Sequence, residues 1–251
     1  MTTAELLLLG IVTFILIDFA AGRVIDYLNE SNKNQPLSPV ASEIYNADEY
    51  AKSLEYGTAK YKVELLTSVV STVVMLSAII LGWFAWLDEI IREQFNNEIA
   101  ITVTFVGVLI AVSMIGSLPV GYYSTFVIEE KFGFNKMTWK LWLSDSLKGL
   151  LLGLVLGVPL IAMVLWLMQA GGVYWWIWTW CALVFWQLFL MAIAPNVIMP
   201  LFNQFTPLED ESLKDRVNAL MQRAGFTAKG FFVMDGSKRS AHSNAFFTGF
   251  G

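Results

Sequence analysis

A polar stretch near the end of the chain carries the residue types of nucleophilic catalysis. A carboxylate, an imidazole and three hydroxyls occur within nine residues: Asp235, Ser237, Ser240, His242 and Ser243. A catalytic triad is an assembly in space, however, and closeness along the chain does not create one. A lone histidine in a polar linker is more often a solvated or hydrogen-bonded loop residue than a base. We therefore interpret His242 as a loop residue and name no catalytic residue in this chain.

A catalytic zinc site is the second possibility, and the chain has few ligands to offer it. Such a site needs three protein ligands and an open position for water. His242 is the only histidine, the only cysteine, Cys181, lies inside an apolar run, and no H-E-x-x-H motif occurs. We predict no metal ligand and no cofactor for this chain alone.

The composition indicates a membrane protein. Hydrophobic residues make up 56% of the chain and charged residues 15%, whereas soluble domains carry about 25% charged residues. The net charge of −5 offers no basic face to nucleic acid, which we exclude as a partner. Membrane lipids are the expected surroundings.

Five apolar stretches are long enough to consider as membrane helices: residues 6–21, 63–87, 99–128, 147–168 and 173–194. A spanning helix needs roughly 20 mostly apolar residues, which the last four provide. The first is shorter, and it is preceded by "MTTAE", which lacks the positive charge of a signal peptide, so we predict a retained helix. In the third stretch, Pro119 indicates either a bend that packing tolerates, which we favour, or a bowed helix that lines a cavity.

The basic residues predict the orientation. Fifteen of the 16 lysines and arginines fall on one side of the predicted layout, and Arg92 alone falls on the other. The positive-inside rule then places the N-terminus outside and the C-terminal piece in the cytoplasm. There the pair Lys238 and Arg239 could contact anionic lipid, at roughly 1 kcal/mol per basic residue.

After the fifth stretch the pattern changes to that of a soluble segment. A helix is predicted over about 207–224, begun by a capping box of Thr206 and Glu209, with strands at about 230–235 and 244–250. One helix and two strands cannot close a domain in water. The predicted fold is thus an all-α polytopic membrane protein with five transmembrane helices (residues 1–199), followed by an incomplete α+β cytoplasmic piece (residues 200–251).

The chain resembles the integral-membrane, zinc-dependent CAAX prenyl proteases. Three stretches and the five-span layout carry the resemblance: "EEKFGFNKMTWKLWLSD" (129–145), "PNVIMPLFNQFTPLED" (195–210) and "GFTAKGFFVMDGSKRSAHSNAFFTGFG" (225–251). The resemblance implies a ring of seven membrane helices around a water-filled chamber and removal of the C-terminal tripeptide from prenylated CAAX proteins. In bacterial relatives it implies protein quality control in the membrane.

By the same resemblance, zinc is held by the two histidines of H-E-x-x-H and by a later glutamate, beyond the stretch that matches here. The chain is therefore expected to be the N-terminal part of such an enzyme, with zinc in the complete enzyme, and to be inactive by itself. Its expected partners are a substrate peptide or protein in extended form and the missing C-terminal catalytic part. A bacterial inner membrane is favoured over the endoplasmic reticulum.

The resemblance also implies a substrate-binding segment. The polar strip from Asp235 to Gly251 resembles the family's substrate-aligning edge strand, which pairs with an extended peptide by β-augmentation. Asn244, Ala245 and Phe246 would then contact the substrate backbone, with His242 nearby. A non-catalytic membrane scaffold or peptide-binding protein derived from the family remains the alternative. A small transporter is disfavoured because the predicted spans carry few ionisable residues.

Overall fold

The computed structural model describes residues 2–33, 46–225, 227–228 and 230–248. Five of its helices are long and apolar enough to cross a membrane: α1 (Thr3–Asn32), α2 (Ala47–Ile80), α4 (Glu98–Phe132), α5 (Trp139–Ala170) and α6 (Gly172–Phe202). The regular elements also include α3 (Trp83–Gln94), α7 (Glu211–Arg223), β1 (Phe205–Pro207) and β2 (Phe232–Met234). The prediction of a polytopic helical membrane protein with a small α+β segment is confirmed.

Few side chains in the described part of the chain are fully buried by protein. The buried apolar residues are Ala78, Ile91, Ile101, Ile128 and Phe132. At most 6% of the most apolar stretch of each membrane-length helix is buried. A helix in a bilayer can leave its apolar faces exposed to lipid, because lipid tails are as apolar as the side chains. The exposed leucines, valines and tryptophans are therefore suited to a lipid environment.

The second predicted span ends earlier than residue 87. Helix α2 stops at Ile80, and Gly82 has a φ of +72°, a left-handed conformation that glycine adopts without steric cost. A new helix, α3, then starts at Trp83. Arg92 on α3 donates hydrogen bonds to Asp88 (2.8 Å) and to Glu98 at the start of α4 (2.9 Å), and these two carboxylates raise its pKa. Hydropathy alone did not detect this break, because apolar residues continue across it.

Helix α4 departs from regular α-helix after Pro119. Residues Ser124–Glu129 form a π-helical turn, in which hydrogen bonds reach one residue further than in an α-helix. An open cleft of about 310 Å³ lies between α2 and α4, and Val120, Ser124 and Ile128 line one side of it. The stretch after Pro119 thus lines an open cleft, while a bowed helix around a cavity stays a prediction.

The start of helix α7 corrects a sequence prediction. Residues Phe205–Pro207 form β1, which pairs antiparallel with β2 in the register Phe205↔Met234, Thr206↔Val233 and Pro207↔Phe232. Thr206 is therefore part of a strand and lies five residues before the first residue of α7, which is too far to cap that helix. The cap is Asp210, whose Oδ1 accepts a hydrogen bond from the Leu213 N–H at 3.0 Å, so that α7 begins at Glu211 rather than at 207.

The two predicted strands have different outcomes. The first, at 230–235, is confirmed for Phe232–Met234. The second, at 244–250, is wrong for 244–248, which have no regular structure, while 249 and 250 lie outside the described residues. A strand needs a hydrogen-bonded partner, and no described segment forms a ladder with 244–248.

Replacing Asp210 with alanine is expected to destabilise the first turn of α7 by about 1 kcal/mol, because an N-cap side chain satisfies an otherwise unpaired N–H. Amide hydrogen exchange of Leu213 is the measurement, and it should become faster. Thr206→Ala is the matched control and should leave the α7 amides unchanged. The opposite pattern would restore the capping box predicted from the sequence.

The chain divides into two compact units, Met1–Gly133 and Phe134–Gly251. The first contains α1 to α4. The second contains α5 and α6 together with β1, α7 and β2, so it combines two membrane-length helices with the α+β segment. The separation into a membrane domain up to residue 199 and a cytoplasmic piece after it stays a prediction.

Candidate functional site

The loop after β2 begins with Asp235, which is held by three contacts. Its N–H donates to the Gln204 carbonyl (3.1 Å), and its Oδ1 accepts from the Gln204 N–H (2.8 Å). Its other carboxylate oxygen pairs with Lys238, three residues later. The hydrogen bond from Lys238, followed by that from the Gln204 N–H, holds the pKa of Asp235 below its ordinary value of 3.8.

Acidification is expected to weaken this turn. Because pairing lowers the pKa of Asp235 in the folded chain, its stabilising contribution is complete above the unfolded pKa of 3.8 and is lost as the pH falls through the folded pKa. The thermal unfolding midpoint should therefore differ between wild type and Asp235→Asn at neutral pH, and the difference should shrink in strong acid. Asp215→Asn, which removes an exposed carboxylate on α7, controls for the loss of one charge. A difference that is constant with pH would contradict the expectation.

Arg239 is the most densely bonded side chain of the loop. Its guanidinium makes a bidentate ion pair with Asp145 near the start of α5, with Nε–Oδ2 at 2.7 Å and Nη2–Oδ1 at 3.2 Å. It also donates to Asn203 Oδ1 (2.7 Å) and to the Phe202 carbonyl (2.5 Å), both at the end of α6. The side chains of Arg239 and Asp145 are only 19% and 15% exposed.

The sequence did not indicate this ion pair, and it suggested for Lys238 and Arg239 only a weak contact with anionic lipid, which stays a prediction. In the structure both side chains have carboxylate partners, because Lys238 pairs with Asp235 and Arg239 pairs with Asp145. One signal was present. A carboxylate nearly two turns into a long apolar helix needs a cation nearby, since an isolated charge is costly to desolvate.

The main chain around Arg239 is attached to the segment that precedes α5. The Lys136 N–H donates to the Arg239 carbonyl (3.1 Å), and the Ala241 N–H donates to the Phe134 carbonyl (2.9 Å). Between them, Asn135 and Ser240 form an antiparallel bridge. The loop is therefore fixed by both its side chain and its backbone.

His242 follows directly and packs onto the same segment. Its imidazole stacks on the Phe134 ring at 4.2 Å between ring centroids, with 29° between the planes. Its N–H donates to Ser240 Oγ at 3.1 Å. His242 thus lies in a loop and contacts the segment before α5, while its place beside a bound substrate stays a prediction.

Asn244, Ala245 and Phe246 come next and are exposed. The Ala245 N–H donates to Asn244 Oδ1 (2.9 Å), and no backbone hydrogen bond among the described residues joins these three residues to another segment. The Phe246 side chain is 54% exposed. An exposed backbone of this kind can accept an extended peptide as an added strand.

The described residues offer few side chains that could bind a metal ion. No three or more histidine, cysteine, aspartate and glutamate side chains there lie close enough together to hold a metal ion. The His242 imidazole is stacked on Phe134, and Cys181 is exposed on α6. A catalytic zinc requires three protein ligands, so the described residues do not fit one.

Comparison with known proteins identifies the family. The family model of the CAAX prenyl protease N-terminal region, with five membrane helices, matches residues 26–204. The model of peptidase family M48 matches residues 207–251. The resemblance inferred from the sequence is confirmed.

Individual relatives agree with the family models. The chain is 38% identical to CAAX prenyl protease 1 of Saccharomyces cerevisiae over 225 residues, which cover 85% of the chain and 49% of the relative. It is 37% identical to an Arabidopsis thaliana homologue over 215 residues, which cover 82% of the chain and 50% of that protein. The crystal structure of S. mikatae Ste24p superposes with a TM-score of 0.89 at 35% identity, over 96% of the chain and 58% of that protein.

The chain thus spans about half the length of the curated relatives that it matches. Four of its five membrane-length helices, α2, α4, α5 and α6, lie within the matched residues 26–204, and α1 overlaps that range only at its C-terminal end. The loop that holds Arg239 and the exposed segment after it falls in the part that matches peptidase family M48. The chain is an integral membrane protein that belongs to the CAAX prenyl protease family.

Proposed function

We propose that the chain is the N-terminal membrane and substrate-aligning part of a zinc metalloendopeptidase that removes the C-terminal tripeptide from prenylated proteins. The observation that carries this proposal is the exposed segment Asn244–Phe246, which follows a firmly held loop in the part of the chain that matches a peptidase family. The names of the relatives support the substrate class, since they are CAAX prenyl proteases.

The role of this chain in the reaction is alignment. An extended peptide would pair with the backbone of Asn244, Ala245 and Phe246, so that one amide bond is presented in a fixed register. In a strand, the N–H and C=O groups of successive residues point to opposite edges. Either Ala245 or the pair Asn244 and Phe246 would then bond the peptide, with His242 packed beside them. Because the described residues do not fit a zinc site, its ligands would come from a further part of the enzyme.

The topology proposed from the basic residues places the N-terminus outside and the α+β segment in the cytoplasm. That side is also the one on which a prenylated cytoplasmic protein would meet the segment. Of the two membranes considered from the sequence, relatives from a yeast and a plant favour the endoplasmic reticulum over a bacterial inner membrane.

The test compares the 251-residue chain with a version extended through the next downstream coding sequence, both purified in detergent. Zinc content is measured together with cleavage of a farnesylated CAAX peptide, with the same peptide lacking the farnesyl group as control. We expect zinc and cleavage in the extended version only. Stoichiometric zinc in the 251-residue chain would overturn the prediction that this chain alone binds no metal.

An extended version that binds no zinc and cleaves neither peptide would overturn the peptidase proposal. The alternative, a non-catalytic peptide-binding membrane protein, would then predict that both versions retain the farnesylated peptide. Binding is measured by fluorescence anisotropy of a labelled peptide. Cleavage of the farnesylated and unfarnesylated peptides at equal rates would support a peptidase but would contradict a requirement for prenylated substrates.

A further inference from the structure

We propose that Arg239 is a positioning residue, which orients the peptide-aligning segment Asn244–Phe246 through its bonds to two membrane-length helices. The role of the segment rests on the proposed function, whereas the bonds of Arg239 do not. Arg239 itself would not touch the substrate. It lies five residues before Asn244 and acts through the loop that leads to it.

The first step is the geometry of the guanidinium. Its planar fork meets the Asp145 carboxylate with two hydrogen bonds, and its remaining donors meet Asn203 and the Phe202 carbonyl. A bidentate pair fixes direction as well as distance, which a lysine ammonium at the same place would not do. The start of α5, the end of α6 and the loop are therefore joined at one side chain.

The second step is the path of the backbone beyond Arg239. Its carbonyl and the Ala241 N–H bond the segment Phe134–Lys136, which lies immediately before α5. The stacking of His242 on Phe134 extends the attachment by one more residue. The direction in which the chain leaves this attachment determines where Asn244–Phe246 lies.

The third step is the contrast with the neighbouring basic residue. The Lys238 side chain is 54% exposed, and its carboxylate partner is Asp235, three residues away in the same turn. Arg239 pairs with a residue 94 positions away, and both side chains are largely buried. Lys238→Ala is therefore a matched control, which removes a basic side chain without separating the loop from α5 and α6.

The first experiment measures orientation without any activity. A nitroxide label is placed at Ser243→Cys in the 251-residue chain with Cys181→Ala, reconstituted in lipid nanodiscs. We expect a severalfold shorter rotational correlation time with Arg239→Ala, a smaller change with Arg239→Lys, and no change with Lys238→Ala. If Arg239→Ala does not fold, Asp145→Asn replaces it, because asparagine keeps the shape while removing the charge. Label mobility that is unchanged in a folded variant would overturn the proposal.

The second experiment uses the extended enzyme and a farnesylated peptide. A segment that is no longer held in place would bind the extended peptide less tightly in the ground state and in the transition state alike, which raises KM. We expect Arg239→Ala to lower kcat/KM by roughly tenfold or more, mainly through KM, while zinc content stays at the wild-type level. Arg239→Lys should recover part of the loss, and Lys238→Ala should match the wild type. A loss of zinc with unchanged KM would show that Arg239 supports the fold rather than the segment, and would overturn the proposal.

The two experiments separate the two proposals. An inactive wild-type extended enzyme would contradict the proposed function, while the label would still report whether Arg239 orients the segment. An active enzyme whose KM and label mobility are both insensitive to Arg239 would retain the function and reject the positioning role.

Discussion

Replacing Asp145 with alanine is expected to lower the free energy of unfolding by about 3 kcal/mol, the lower end of what is lost when one partner of a buried ion pair is removed. The substitution leaves the Arg239 guanidinium, only 19% exposed, without its carboxylate. The hydrogen bonds to Asn203 and the Phe202 carbonyl remain, but neither partner carries a compensating charge. Chemical denaturation in detergent, followed by tryptophan fluorescence, is the measurement.

A double substitution tests whether the cost comes from the unpaired charge. Because apolar side chains of similar size can replace a buried ion pair at little cost, Asp145→Leu combined with Arg239→Met should be more stable than Asp145→Ala alone. The exposed pair Lys214–Glu211 on α7 is the control, and Lys214→Ala should cost less than about 0.5 kcal/mol. A cost for Asp145→Ala as small as that of the control would contradict the role assigned to the buried pair.

The second large effect is expected from proline at the peptide-aligning segment. Proline removes one backbone N–H and holds an extended φ, so it deletes a single donor without preventing a strand. If Ala245 bonds the peptide, Ala245→Pro should lower kcat/KM of the extended enzyme, and proline at Asn244 or Phe246 should have little effect. If the other edge faces the peptide, the pattern reverses.

The size of the loss follows from leaving one peptide carbonyl unpaired, which costs about 1–3 kcal/mol, or roughly fivefold to a hundredfold in kcat/KM. Asn244→Ala and Phe246→Ala separate the loss of a side chain from the loss of a donor. Equal losses at all three positions, or none, would argue against β-augmentation. Substrate hydrolysis by the extended enzyme is the measurement in each case.

The positions of the membrane helices could be predicted because the bilayer imposes a local requirement. A membrane-spanning helix must make its backbone hydrogen bonds within itself and needs about 20 apolar residues. An apolar run of that length is therefore visible in the sequence, whatever the helix packs against. The ends were less predictable. At Gly82 the apolar residues continue while the backbone turns, so hydropathy extended α2 by seven residues too far, to 87 instead of Ile80.

The α+β segment shows why local signals can mislead. Thr206, Pro207 and Glu209 form a good capping pattern, yet Thr206 pairs with Val233, 27 residues away. Because residues Phe205–Pro207 pair with β2, the helix begins only after them, and Asp210 is its N-cap. The residue types of 244–248 are typical of a strand, yet no partner strand is described for them. β-propensity indicates that a residue suits a sheet, but it does not supply a neighbouring strand.

The sequence by itself determined the membrane character, the number of spans and the family resemblance, since each depends on residue types within short windows or on a directly recognisable string. It also pointed to Asn244–Phe246 as the segment to examine, through that resemblance. Only the tertiary structure decided what holds the preceding loop. The pairing of Arg239 with Asp145 and the stacking of His242 on Phe134 join residues roughly 100 positions apart. Contacts between residues so distant in sequence depend on how the helices bring them together, and no local pattern in the chain records that arrangement.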